Sequence, residues 1–199
     1  MNQKRVTFAL ALIAIGVVGL VLFRAFPSRT FGMDRASSIA ERYLRSLNNP
    51  DLAIGEIMEF EQNFYGIYYE RSTGIGAFEM LIDKATGRIF PEYGPNMMWN
   101  TKYGHGGMMG GGPTGMMGSP LHSGPMAIDE DEAVQEGQEF LDRVYPGTTA
   151  EDPHLFYGYY TLHVTKDGEI YGMLSVNGYD GAVWYHNWHG AYIRSREMH

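Results

Sequence analysis

Apolar residues recur along the chain at two different spacings, and the switches between them mark out its elements. From Asp34-Arg35-Ala36 onward, Ala36, Ile39, Ala40, Tyr43, Leu44 and Leu47 fall at i, i+3, i+4, i+7, i+8 and i+11, one stripe of a helix. Asn48-Asn49-Pro50 stops it, because proline has no N–H to continue the ladder. Ninety-seven residues on, Asp131-Glu132-Ala133 opens a second stripe of Ala133, Gly137, Phe140, Leu141 and Val144, closed by Tyr145-Pro146-Gly147. Asp129, with Glu132 three positions later, reads as a capping box that starts this helix.

After each stripe come short runs rich in aromatic and branched residues, the composition of strands. The first set is 53–60, 64–71, 77–83 and 88–90; the second is 155–164, 169–176 and 182–185, one strand fewer. Both contain Phe-Tyr-Gly, at Phe64-Tyr65-Gly66 and Phe156-Tyr157-Gly158. Turn signals at Ser72-Thr73-Gly74, Asp83–Gly87, Asp167-Gly168 and Asn177-Gly178 separate the runs as hairpins. The pattern predicts an internal duplication. The expected fold class is α+β, with an N-terminal transmembrane helix followed by two repeated units, each one helix packed on a small antiparallel sheet. Units of about 60 residues have marginal cores, so the two are expected to pack together. The expected divisions are an anchor and tether at 1–29, a first unit at 30–94, a loop at 95–126 and a second unit at 127–199.

The transmembrane expectation comes from residues 6–23, eighteen uncharged positions bracketed by Lys4-Arg5 and Arg24. That length just spans a bilayer core and is long for a signal-peptide core. An uncleaved anchor is expected, with the N-terminus inside and the body on the extracytoplasmic side; a processed signal peptide is the alternative. The 199 residues carry a net charge of −8, and setting aside the four bases Lys4, Arg5, Arg24 and Arg29 leaves −12 for the rest. So acidic a body repels phosphate backbones and attracts cations, which argues against nucleic acid and anionic lipid as partners. There is no cysteine, hence no disulfide framework, thiolate metal site or thiol nucleophile.

Ile82-Asp83-Lys84-Ala85-Thr86-Gly87-Arg88-Ile89-Phe90 follows a helix and a hairpin, and this D-x-x-T-G-x-hydrophobic ending resembles the PepSY-type domain. The second copy ends Val176-Asn177-Gly178-Tyr179-Asp180-Gly181-Ala182-Val183-Trp184, without the threonine. The resemblance covers roughly residues 34–93 and 128–189. It implies extracytoplasmic or membrane-anchored modules that bind or inhibit partners, including a membrane or periplasmic protein, and that carry no catalytic residues of their own. The loop between the copies is not part of that pattern.

That loop holds the most unusual chemistry. Met97-Met98, Met108-Met109 and Met116-Met117 lie in a glycine-rich stretch with His105 and His122. Flexible linkers are ordinarily Gly and Ser, so this concentration of sulfur calls for a cause. Thioether is a soft donor that selects Cu(I), and glycine lets a chain wrap an ion at small steric cost. A mobile linker whose methionines dock on apolar patches, or a surface that binds a partner protein, would also use such residues. In Trp184-Tyr185-His186-Asn187-Trp188-His189-Gly190, His186 and His189 can share one ion if the segment turns, and diverge if it is a strand. This segment corresponds in the repeat to 91–95, just before the Met loop, so the two could meet or lie far apart. His154, His163 and His199 read as structural or solvated.

No G-x-S-x-G, H-E-x-x-H or phosphate-binding glycine loop with Lys is present. The expected function is therefore non-enzymatic: a membrane-anchored extracytoplasmic protein that captures or hands over copper through Met97, Met98, His105, Met108, Met109, Met116, Met117 and His122, with His186 and His189. The alternative is a metal-free PepSY-like module that binds a peptide or inhibits a neighbouring membrane enzyme.

Overall fold

A computed structural model describes residues 31–104 and 124–198. The first apolar stripe forms helix α1 (Met33–Ser46), and the second forms the longest described helix, from Glu130 to Val144. Asp129 caps the latter by accepting from the Glu132 N–H at 2.9 Å, while Glu132 Oε2 accepts from the Asp129 N–H at 3.0 Å. Two of the orphan donors at the helix start are thereby satisfied reciprocally.

Strands β1 (Leu52–Phe60), β2 (Asn63–Glu70), β3 (Gly76–Asp83) and β4 (Ile89–Pro91) follow α1. A four-residue turn of helix, α2 (Pro95–Met98), leads toward the loop, and the Glu130–Val144 helix, α3, lies beyond it. Then come β5 (Thr149–Phe156), β6 (Tyr159–Lys166), β7 (Glu169–Asn177), β8 (Val183–Tyr185) and β9 (Tyr192–Glu197). The run 155–164, expected as one strand, is divided by a turn at Tyr157-Gly158, where Gly158 has φ +103°. A Cβ there would sit 2.4 Å from the Trp99 carbonyl oxygen, so glycine is required.

The expected pair of separate helix-on-sheet units is corrected: all nine strands belong to one mixed sheet ordered β8-β7-β6-β5-β3-β2-β1-β9, with β4 beside β3. Two contacts make it one sheet. A single parallel bridge, Gly76 to Phe156, joins β3 to β5, and the final strand β9 crosses to pair antiparallel with β1. The bridge depends on glycine, because a Cβ on Gly76 would lie 2.5 Å from the Phe156 ring. The 6–23 run lies outside the described residues. Among the described residues no helix is long and apolar enough to cross a membrane. The transmembrane helix of the expected fold, and the single-pass placement drawn from it, are accordingly withdrawn.

Alternation along the strands divides the core. Tyr160, Leu162, Val164, Leu174 and Val176 pack with Ala133 and Leu141 of α3. Tyr68 donates to the Ala40 carbonyl of α1 at 3.1 Å and stacks on Phe78, with Tyr43 edge-on to both. The alternate positions Met58, Phe60, Tyr65, Ile67, Leu81, Phe156, Tyr159 and Met173 form a second cluster, against which Phe90, Trp99, Trp188 and Tyr192 pack. Among the described residues no long helix contributes to that cluster; its cover includes residues of the 90–99 and 188–192 segments. Those two segments contribute the buried Glu92, Asn96 and His189.

Candidate metal centre

Glu92, His186 and His189 are each buried, at 0%, 2% and 1% exposure, and their ligand-bearing atoms lie within 4.8 Å of one another. Glu92 follows β4, held where its N–H donates to the Glu79 carbonyl at 3.0 Å. The 186–190 segment makes a turn after β8. Its start is fixed by the His186 N–H to the Met173 carbonyl at 3.0 Å, and its end by the Gln62 N–H to the His189 carbonyl at 3.0 Å. Gly190, with φ +74°, turns the chain toward β9. His186 stacks on Trp188 and His189 on Phe60, with centroids 4.9 and 4.4 Å apart. The H-x-x-H pair thus converges because it sits on a turn, and the segments equivalent in the repeat meet.

The outer nitrogen of each ring is held. Asn63 Nδ2 donates to the Trp188 carbonyl at 3.0 Å, which orients Asn63 Oδ1 toward His189 Nδ1, 2.9 Å away. Nδ1 must then carry the hydrogen, leaving a lone pair on Nε2. His186 Nε2 is 2.9 Å from Ser175 Oγ. The inner nitrogens face the carboxylate: His189 Nε2 is 3.0 Å and His186 Nδ1 3.3 Å from Glu92 Oε1. Among the described residues both are charge contacts without hydrogen-bond alignment, and Glu92 Oε2 also has no hydrogen-bond partner there. Glu92 Oε1 also accepts from Trp188 Nε1 at 3.2 Å. Four-coordinate zinc with ligands at about 2.0–2.2 Å places neighbouring donors roughly 3.3–3.5 Å apart, close to the spacings found here. Imidazoles whose far nitrogens are tethered to oxygen are the usual supporting arrangement of metal ligands.

A second buried carboxylate adjoins the first. Glu79 accepts from Tyr65, from Tyr159 at 2.7 Å and from Thr161 at 2.8 Å, and Thr161 Oγ1 is 2.9 Å from Ser175 Oγ. A polar chain therefore runs Glu79–Thr161–Ser175–His186–Glu92–His189–Asn63 through the interior. Burial, then the Glu92 charge, pushes Glu79 up to about 8. Burial also opposes ionisation of Glu92, but the His186 charge and contacts with both imidazoles outweigh it and hold its carboxyl at about 2. Burial is the largest influence on His186 and lowers it, but Glu92 and Glu79 together turn the balance to a net rise; burial lowers His189.

Of the expected metal ligands, His186 and His189 lie in this centre. Met97 is half-buried and Met98 exposed on α2. His105, Met108, Met109, Met116, Met117 and His122 lie outside the described residues. Glu92 was missed by the sequence reading, where Phe90-Pro91-Glu92-Tyr93-Gly94 looks like an ordinary turn; the repeat correspondence of 91–95 with the His segment was its one signal. Glu79 had a clearer one, a lone acid among the apolar residues of Ala77-Phe78-Glu79-Met80-Leu81-Ile82.

The loop is anchored before it leaves the described region. Glu70 is buried and accepts from Lys102 Nζ and the Tyr103 hydroxyl, both at 2.5 Å, from Tyr157 at 2.6 Å and from Thr73 at 3.1 Å. Burial would raise its pKa, but these donors hold it at about 2.

No protein-family model and no curated protein matches the chain. Among solved structures it is similar to the Bacillus megaterium YpeB C-terminal domain, at 12% identity and a TM-score of 0.27 over 78% of this chain. The match spans 62% of that domain's chain, and the likeness is too remote to bear on function.

Proposed function

We propose that this is a non-enzymatic binding protein for a transition-metal ion, copper first, which it captures or hands over. The observation that carries the reading is the convergence of His186 Nδ1, His189 Nε2 and Glu92 Oε2, all buried and without hydrogen-bond partners among the described residues, beside imidazole nitrogens that are tethered. Two imidazoles and a carboxylate suit a divalent first-row ion, and Cu2+ binds such nitrogen and oxygen sets most tightly. Met97, Met98, Met108, Met109, Met116 and Met117, with His105 and His122, follow Glu92 in sequence and offer the soft donors that Cu(I) prefers. Copper is the ion whose two oxidation states match both donor sets.

A metal-free binding module, PepSY-like and acting on a peptide or a neighbouring enzyme, is favoured by one feature. Glu79 is pushed toward its neutral form and His189 likewise, while Glu92 and His186 each favour the other's charged form, so the buried network offsets its own charge without an ion.

Titration of the full chain with Cu(I) and with Cu2+ under competing chelators separates the two. Changing the six loop methionines to Leu is expected to weaken Cu(I), and changing His186 and His189 to Ala to weaken Cu2+. X-ray absorption of the loaded protein should find sulfur with Cu(I) and nitrogen with Cu2+. Affinities untouched by either set, with no sulfur and no imidazole around the ion, would leave the metal-free module.

A further inference from the structure

A second histidine–carboxylate group lies on β5 and β6, away from Glu92. The pairing of these strands jumps from Glu151–His163 to His154–Thr161, so Asp152 and Pro153 are inserted on β5 opposite Leu162. Such a bulge re-aims side chains. Asp152 takes φ +53°, a left-handed conformation that aspartate tolerates better than most residues. His154 and His163 stand on one face, because the partner of Thr161 and Thr161's neighbour two positions on share a side of the sheet. The inserted Asp152 reaches both: its Oδ2 is 3.5 Å from His154 Nε2 and 3.2 Å from His163 Nδ1.

These separations bracket the roughly 3.3–3.5 Å between donors of a four-coordinate ion with bonds of about 2.0–2.2 Å. Among the described residues His154 Nε2 is buried without a hydrogen-bond partner, and so is His163 Nε2. Exposure of the side chains is graded, 11% for His163, 34% for His154 and 61% for Asp152. An ion here would be reachable from solvent. His154 also lines a cavity of about 230 Å3 together with Glu56, Ile67, Tyr69, Gly76 and Glu197. The cavity leaves room for a water at an open position, and its two carboxylates add negative potential.

We infer that Asp152, His154 and His163 form a second binding site for a divalent borderline ion, of which Zn2+ is the test case, solvent-accessible and open to an added ligand. The site stands independently of the buried centre. Two imidazoles and one carboxylate with a free coordination position are the donor set of zinc sites that exchange water. The bulge supplies the geometry that a regular hairpin would not.

Equilibrium dialysis of the full chain against Zn2+, with Co2+ absorption as a reporter of tetrahedral nitrogen and oxygen ligation, tests this. His154→Gln and Asp152→Asn are expected to weaken one Zn2+ equivalent at least tenfold and to remove its Co2+ band. Glu92→Gln should leave that equivalent in place, which separates this site from the buried centre. Circular dichroism monitors the fold; should a His163 variant fail to fold, the partly exposed His154 and Asp152 still decide the matter. Zn2+ isotherms of His154→Gln and Asp152→Asn that superimpose on the wild type overturn the site.

Discussion

Glu92 and His189 are 97 positions apart, the offset that separates the helix-opening residues Asp34 and Asp131, and they meet with Oε1 3.0 Å from Nε2 inside the core. The contact joins the end of β4 to the turn that precedes the final strand. Its value can be measured in several ways.

Replacing Glu92 by Gln keeps the shape and removes the charge that faces His186. Breaking a buried ion pair from one side costs about 3–5 kcal/mol. Chemical denaturation in chelator should show a loss of that size, and Cu2+ affinity should drop as well. A variant as stable as the wild type would show that His186 is uncharged in the ion-free protein.

Asn63 holds His189 Nδ1 with its Oδ1 and the Trp188 carbonyl with its Nδ2. Asn63→Ala frees the ring to rotate and removes the acceptor that fixes its tautomer, so Cu2+ affinity should fall by about 10–100-fold. Competition titration reads the change, and the Cu(I) affinity of the loop should hold steady through it.

At the sheet junction, Gly76→Ala would force a Cβ to 2.5 Å from the Phe156 ring. Overpacking of this kind costs about 1–3 kcal/mol. Thermal melts should record the loss, and Gly76→Ala with Phe156→Leu should recover part of it by making room.

Acid should loosen the loop anchor. The Glu70 carboxyl is held at about 2 against an ordinary 4.5. Its contribution is therefore complete above about pH 4.5 and is lost as pH falls from there toward 2. Melting temperatures of wild type and Glu70→Gln, compared from pH 6 to pH 2, should differ most at the upper end and converge at the lower. Parallel curves across the range would assign the contacts of Lys102, Tyr103 and Tyr157 no net weight.

Local pattern carried the helices and most strands to within a few residues, because amphipathic spacing and Asp-Gly or Asn-Gly turns act over short distances. The joining of the strands did not show. It rests on one bridge at Gly76 and on Tyr192–Glu197, an almost wholly exposed strand whose Arg194, Ser195 and Arg196 give no apolar signal. The site was half legible. His186-x-x-His189 stood out, whereas Glu92 becomes a partner only through the fold. His163 in Thr161-Leu162-His163-Val164 reads as structural or solvated from sequence, and only the bulge at Asp152 brings a carboxylate to it.

Pairing β1 with β9 has a consequence for biosynthesis. As the nascent chain leaves the ribosome, β1 emerges well ahead of β9 and waits, one edge unsatisfied, until that strand is translated. Until then that rim is open to strand addition by another polypeptide. Loss of Tyr192–Glu197 would make the transient hazard permanent.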